Sequence, residues 1–167
     1  MDQMLRDRDR VAPLLAGIIA RMTTAPLAGT KPGTFLSQRY DPVNKAFGEG
    51  NVQIWSRIPK DLLPPYVAMA SAECKPWGSK TRAGNEITLN MVVVSNFIGM
   101  DETNAIGNKL LDALSRPAID LSADGLEIIL FRPTTQSSGV LGEDGKTEFR
   151  RLAFRVIVVD TAAQSLI

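Results

Sequence analysis

Apolar residues recur at three- and four-residue spacing from Val11 through Leu14, Leu15 and Ile18 to Met22, which predicts a helix with one buried face. Pro13 is tolerable near a helix start and costly further in, so the ordered helix is expected to begin at Val11 or Ala12. The preceding RDRDR, Arg6 to Arg10, alternates in sign and reads as a solvated first turn or lead-in. From Thr24 to Glu49 no period is sustained, and Pro26, Pro32 and Pro42 alternate with glycines. Residues 24–50 are therefore expected to form a long irregular insertion, of a length that is usually functional or disordered.

Beyond it the period changes to two. Asn51 to Ile58 alternates Val52 and Ile54 with polar neighbours, and Pro65 to Cys74 follows a Pro-Pro step that favours extended backbone. Asn85 to Phe97 puts Ile87, Leu89, Met91, Val93 and Phe97 on one face and Val92 and Val94 on the other, so both faces are apolar in its second half. Leu126 to Arg132 has the same two-faced quality. Thr147 to Asp160 points Leu152, Phe154, Val156 and Val158 inward and Arg151, Ala153 and Arg155 outward. A second helix falls between Asp101 and Pro117, with Asp101 as N-cap, Ile106, Leu110, Ala113 and Leu114 as its buried stripe, and Pro117 as its stop. Short links around Gly84 and Gly142 favour hairpins over crossovers. The expected fold is α+β: a mostly antiparallel sheet of four to five strands on two main helices, in a single domain spanning residues 1–167.

Composition narrows the chemistry. The chain has no histidine and one cysteine, Cys74. That removes Ser-His-Asp and Cys-His catalysts, an internal disulfide and a His/Cys zinc site. Cys74, in a predicted strand, is expected to fill core space. A net charge of +1 gives no global reason for tight nucleic-acid binding. The apolar run Ala12 to Met22 is too short for a membrane span, and a soluble chain made in the cytoplasm is expected.

Two stretches imitate ligand loops. In Gly139 to Thr147, the position five residues before the Gly-Lys pair is Val140 rather than glycine, and the turn joins strands, whereas a phosphate loop opens a helix. Asp120 to Gly125 begins like a calcium loop, but its closing bidentate position is Phe131. Plain turns are expected at both. The carboxylates are scattered; a metal-assisted enzyme using Glu73, Glu86, Asp120 or Asp124 is the weaker reading, and no cofactor or metal site is assigned. Lys75, Lys80 and Arg82 surround Trp77 in a predicted hairpin loop. Such a group is either a solvated tip or, because tryptophan is enriched at contacts, a surface offered to a partner.

The ordered set Pro65-Tyr66-Val67, Trp77, Lys80-Thr81, Gly84, the strand to Phe97, Ala113-Leu114, Asp124-Gly125 and Phe149 to Val159 resembles the tail-terminator or tail-completion family of long-tailed bacteriophages and gene transfer agents. The likeness runs from about Pro64 to Asp160. The insertion at 24–50 and the apolar NMVVVSN depart from it. The resemblance implies a structural, non-enzymatic virion protein. Such proteins form a ring, usually of six subunits, at the head-proximal end of the tail tube, stop tube polymerisation and meet the head connector. Its implied partners are further copies of itself, the major tail tube protein and the connector or neck protein, with at most weak contact to passing DNA and none to membrane. Lys75, Trp77, Lys80, Arg82, Arg150, Arg151 and Arg155 are the candidate subunit or tube contacts. A different neck or head-completion ring protein is the alternative. The two-faced strands leave two arrangements open: helices of the same chain cover both sheet faces, or a neighbour meets one of them.

Overall fold

Leu14, Ile18 and Met22 fall on the buried side of a helix, α1 (Val11–Thr23), in the computed structural model of the chain, which describes residues 9–57, 63–97, 99–115, 119–141 and 147–161. The start of α1 is held from the residue before its N-cap: Asp9 Oδ1 accepts the amides of Val11 and Ala12 at 2.9 and 3.2 Å. Arg10 is buried and reaches Asp160 at 3.0 Å and Asn85 Oδ1 at 2.8 Å, which fastens the helix to the ends of two strands. The rest of the alternating-sign lead-in lies outside the described residues.

Among the described residues, six strands form one sheet in the order β1-β2-β3-β4-β6-β5. They are β1 (Thr34–Asp41), β2 (Ala46–Trp55), β3 (Tyr66–Gly78), β4 (Ala83–Ser95), β5 (Leu126–Leu141) and β6 (Thr147–Asp160). The second helix, α2 (Asp101–Leu114), connects β4 to a single 3-10 turn, Ser122–Asp124, before β5. Every pairing is antiparallel except β2 with β3, where Gln53, Ile54 and Trp55 run parallel to Tyr66, Val67 and Ala68. The class is therefore α+β as expected, with more strands and one parallel pair.

The extra strand, β1, and the first half of β2 come from the stretch expected to be irregular. Residues 34–41 and 46–55 form the β1–β2 hairpin, and only the last rows of β2 meet β3. Its turn is made by Asp41, whose carboxylate accepts the amide of Val43 at 2.9 Å and the side-chain amide of Asn44 at 2.7 Å. Lys45 adopts a positive φ of 52° to close it. Residues 24–33 do lack regular structure. They still pack, since the Leu36 amide donates to Leu27 O at 3.0 Å and the Gly29 amide to Thr34 O at 2.9 Å.

Among the described residues, both helices cover one face of the sheet. Leu14, Ile18 and Met22 of α1 and Ile106, Leu110, Ala113 and Leu114 of α2 join Ile87, Leu89, Met91 and Val93 of β4 and Leu152, Phe154, Val156 and Val158 of β6 in one core. Each such large side chain removed from water contributes about 1.5–3 kcal/mol. The reverse face carries a separate cluster of Ala68, Val92 and Val94, with Tyr66 and Phe149 against it, to which no helix residue belongs. Among the described residues, therefore, the helices of this chain cover one face and not both.

Three local expectations are corrected. Asp101 is the first residue of α2 and not its N-cap; Met100 holds that position and makes no side-chain cap. Asp101 and Glu102 instead place negative charge in the first turn, where the helix dipole favours it. β5 runs on to Leu141, well past Arg132. Cys74 is exposed rather than core-filling, beyond a bulge between Met69 and Ser71 that shifts the register of β3. Partial desolvation raises its thiol pKa. Pro117, residues 142–146 around the β5–β6 link and Ile58 lie outside the described residues.

Candidate functional site

The pleat and the register sort the candidate residues by face. On β4 and β6 the side chains of Ile87, Leu89, Leu152 and Phe154 point to the helices, so Glu86, Thr88, Asn90, Val92, Phe149, Arg151 and Arg155 point away. Cross-strand pairing puts Lys75 opposite Glu86 and Trp77 opposite Gly84, on that same helix-free face. Four of the seven candidates, Lys75, Trp77, Arg151 and Arg155, therefore share one surface. Neither Lys75 nor Trp77 lies in a loop; both are in β3, and the hairpin turn is 79–82, closed by the Ser79 amide on Arg82 O at 2.9 Å.

Most of the positive charge on this face is already paired. Lys75 Nζ lies 3.4 Å from Glu86 Oε2, while Arg155 Nε donates to Glu86 Oε1. The Arg155 hydrogen bond, then the lysine, hold the Glu86 carboxyl below its ordinary pKa of 4.5. Arg82 donates to Glu127 and, at 3.0 Å, to the Asp160 carbonyl. Arg151 is exposed and stands over the Phe149 ring, its guanidinium carbon 5.3 Å from the centroid, a cation–π distance. Lys80 is exposed in the turn. Trp77 is half-buried across from Gly84, where a side chain would strike the Val158 carbonyl at 2.5 Å; glycine lets β4 and β6 close there.

Arg150 behaves differently. It faces the helices at only 8% exposure, with its guanidinium under α2. There it donates to the Asn104 carbonyl at 3.1 Å, to Asn108 Oδ1 at 3.0 Å and to Gln136. Burial pulls its pKa down. A Cβ on Gly107 would lie 2.7 Å from this guanidinium, so the glycine of α2 makes room for it. Arg150 thus bolts α2 to the sheet within the subunit and offers no free cation to a neighbour.

Two features were not foreseen. The β1–β2 hairpin overhangs the start of β3, because β2 meets β3 only from Gln53 onward. Its Tyr40 and Phe47 meet Phe97, just past the end of β4, in an aromatic triad with centroids 4.8–5.5 Å apart. Beside it Glu102, 3% exposed, accepts the Tyr40 amide at 2.6 Å and the Ser95 hydroxyl at 2.7 Å. That carboxylate joins the arm, the end of β4 and the first turn of α2. The sequence signals were the Asp-Pro-Val-Asn turn and the aromatic residue at each end of it.

The carboxylates considered for an enzyme do not converge. Glu86 is engaged by Lys75 and Arg155, and Asp120 accepts the Ser122 amide at 2.9 Å, its pKa lowered first by the Ser122 side chain and then by that amide. Glu73 is exposed on β3, and Asp124 closes the 3-10 turn. Among the described residues no three His, Cys, Asp or Glu side chains group to hold a metal. Nor is any described helix long and apolar enough to cross a membrane.

A sheet with the described helices on one side and an ion-paired face on the other defines an α+β protein that leaves that face outside its own helices. Residues 41–159 match the family model of the tail completion protein gp17, and the chain belongs to that family, structural proteins of the virion tail. Its fold is shared with a chain of a solved structure described as the virion of a native gene transfer agent particle. The TM-score is 0.65 at 19% identity, covering 91% of this chain and 99% of that one. No curated protein matches the sequence.

Proposed function

We propose that this chain, acting as one domain, forms a closed ring at the head-proximal end of the tail tube, ends tube growth there and presents its other side to the neck. Six copies is the number the family resemblance suggests. The reading rests on one structural observation, the helix-free sheet face, in a chain of the tail completion family. A sheet face without helices, where Val92 and Val94 are buried beside Phe149 while Lys75, Thr88 and Arg151 stay exposed, is a surface suited to another subunit or another ring. Lys75, Trp77, Lys80, Arg82, Arg151 and Arg155 remain the candidate subunit or tube contacts; Arg150 serves inside the subunit.

The partners are further copies of the chain, the major tail tube protein and the head–tail connector. Pairing of Lys75 and Arg155 with Glu86, and of Arg82 with Glu127, also suits a channel for DNA. Phosphate contacts scale with unpaired basic groups, and a face that neutralises its own would let DNA pass without holding it. No catalytic step is part of this role.

Loss of the gene gives the test. Tubes of uncontrolled length support termination, and purified protein mixed with tubes should then appear in electron micrographs as one ring at one end. Tails of normal length that fail to join heads would instead assign the chain to the neck or to head completion.

A further inference from the structure

The β1–β2 arm, the approach to β3 and the end of β4 border a pocket of about 550 Å³. Its walls are mostly apolar: Tyr40 and Phe97, with ring centroids 4.8 Å apart, stand with Leu63, Pro64 and Pro65. Leu63 is 78% exposed, so part of this wall is open to water. The one carboxylate on the wall is that of Glu102, whose residue is only 3% exposed.

Glu102 is served by hydrogen bonds but not by a cation. Its Oε2 accepts the Tyr40 amide at 2.6 Å and its Oε1 the Ser95 hydroxyl at 2.7 Å. Ser95 is fixed in turn, because its oxygen accepts the Phe97 amide at 3.0 Å. A carboxylate offers about four lone-pair sites, so about two are left. Among the described residues no lysine or arginine stands within ion-pair distance of it. Arg39 borders the pocket but follows the alternation of β1 to the side opposite Tyr40. There its Nη1 donates to the Asn51 carbonyl at 2.7 Å, and its chain lies over Gly50. A buried charge is costly until an opposite charge meets it, and aromatic faces beside it attract the same sign of partner.

We propose that this pocket is a binding site for a basic side chain, a guanidinium or ammonium on an apolar stem, presented by a partner protein. The stem would lie against Phe97, Leu63 and the prolines, and the cation would reach the open lone pairs of Glu102 beside the Tyr40 ring. The occupant is identified by charge: a neutral apolar group leaves the carboxylate without a counter-ion, and an anion is repelled by it. The site lies within one subunit, so the assignment goes beyond the ring reading and does not depend on ring formation.

A small cation tests it on the full chain. The probe is n-butylguanidinium, with n-butanol and n-butyrate as controls of the same stem, followed by NMR amide spectra. The cation should shift the amides of Tyr40, Phe97 and Glu102 saturably, and n-butanol should bind at least about tenfold more weakly, since a hydrogen bond to a charged group is worth that or more. Glu102→Gln keeps an acceptor for the Tyr40 amide and a donor for Ser95 Oγ while removing the charge. It should lose at least about tenfold in affinity for the cation with the rest of the spectrum unchanged. The comparison of cation with alcohol is made on the wild-type chain, so it decides the matter even where the variant is unstable. Equal binding of cation and alcohol, tighter binding of butyrate, no saturable shift, or full cation binding by folded Glu102→Gln would each overturn the proposal. So would the same shifts on concentrating the protein without a probe, because a second copy of this chain would then be the occupant.

Discussion

Glu86 shows how single residues set the character of the helix-free face. Its carboxylate takes Arg155 and Lys75, and its pKa is lowered in the fold. A depressed carboxylate contributes stability that is present above its ordinary 4.5 and is lost as pH falls through the folded value. Glu86→Gln should therefore lower the melting temperature at about pH 7 and make almost no difference near about pH 3, where wild type has lost the same contribution. Thermal melts of both proteins across that range check it. The buried Glu102 has a larger role. Replacing it with alanine strands the Tyr40 amide and the Ser95 hydroxyl, an expected loss of roughly 2–4 kcal/mol from two abandoned partners. Hydrogen exchange should then speed up in residues 36–49 ahead of the rest of the sheet, and uniform acceleration would show that Glu102 does not anchor the arm in particular.

At the scale of elements, two glycines decide how closely the layers approach. A Cβ at Gly107 would meet the Arg150 guanidinium, and a Cβ at Gly84 would meet the backbone of β6. The first obstacle is the end of a long side chain and the second is a strand. Gly84→Ala is accordingly expected to cost the more, at the upper end of the about 1–3 kcal/mol typical of overpacking, with Gly107→Ala toward the lower end. Urea denaturation of the two variants ranks them. The β1–β2 arm belongs to this scale too. Its inward positions Ser37 and Arg39 are polar and its turn is stabilised by side chains of Asp41, so hydrophobic period gave no sign of it. The β3–β4 hairpin, by contrast, was legible because Ile87, Leu89, Met91 and Val93 alternate over a long run.

For the whole molecule, the decisive fact is that both described helices lie on one side. That leaves one sheet face without a described helix, on a chain of the tail completion family. Trp77→Ala with Lys80→Ala changes the end of this face without touching the core. It should leave melting near wild type and reduce capping of tail tubes, scored as the fraction of tubes bearing an end ring. Unchanged capping would remove the β3–β4 hairpin from the contact. Arg150→Met gives the converse control: it should destabilise the subunit, by roughly 2–4 kcal/mol if the carbonyl and amides it serves are left buried without a donor, without a specific defect in subunits that do fold.

By itself the sequence determined the two helices, the inward faces of β4 and β6, and the absence of histidine and of an internal disulfide, because periodicity and inventory are local properties. It also carried the family likeness. Only the tertiary structure decided which strands are neighbours, that β2 runs parallel to β3, that Arg150 turns inward while Arg151 turns out, and that Cys74 is exposed. A one-residue change of register reverses every side chain on a strand, and the bulges in β3 and β5 that set those registers leave no periodic signature. The arm is likewise a product of packing: a stretch without hydrophobic period became a hairpin through an aspartate turn.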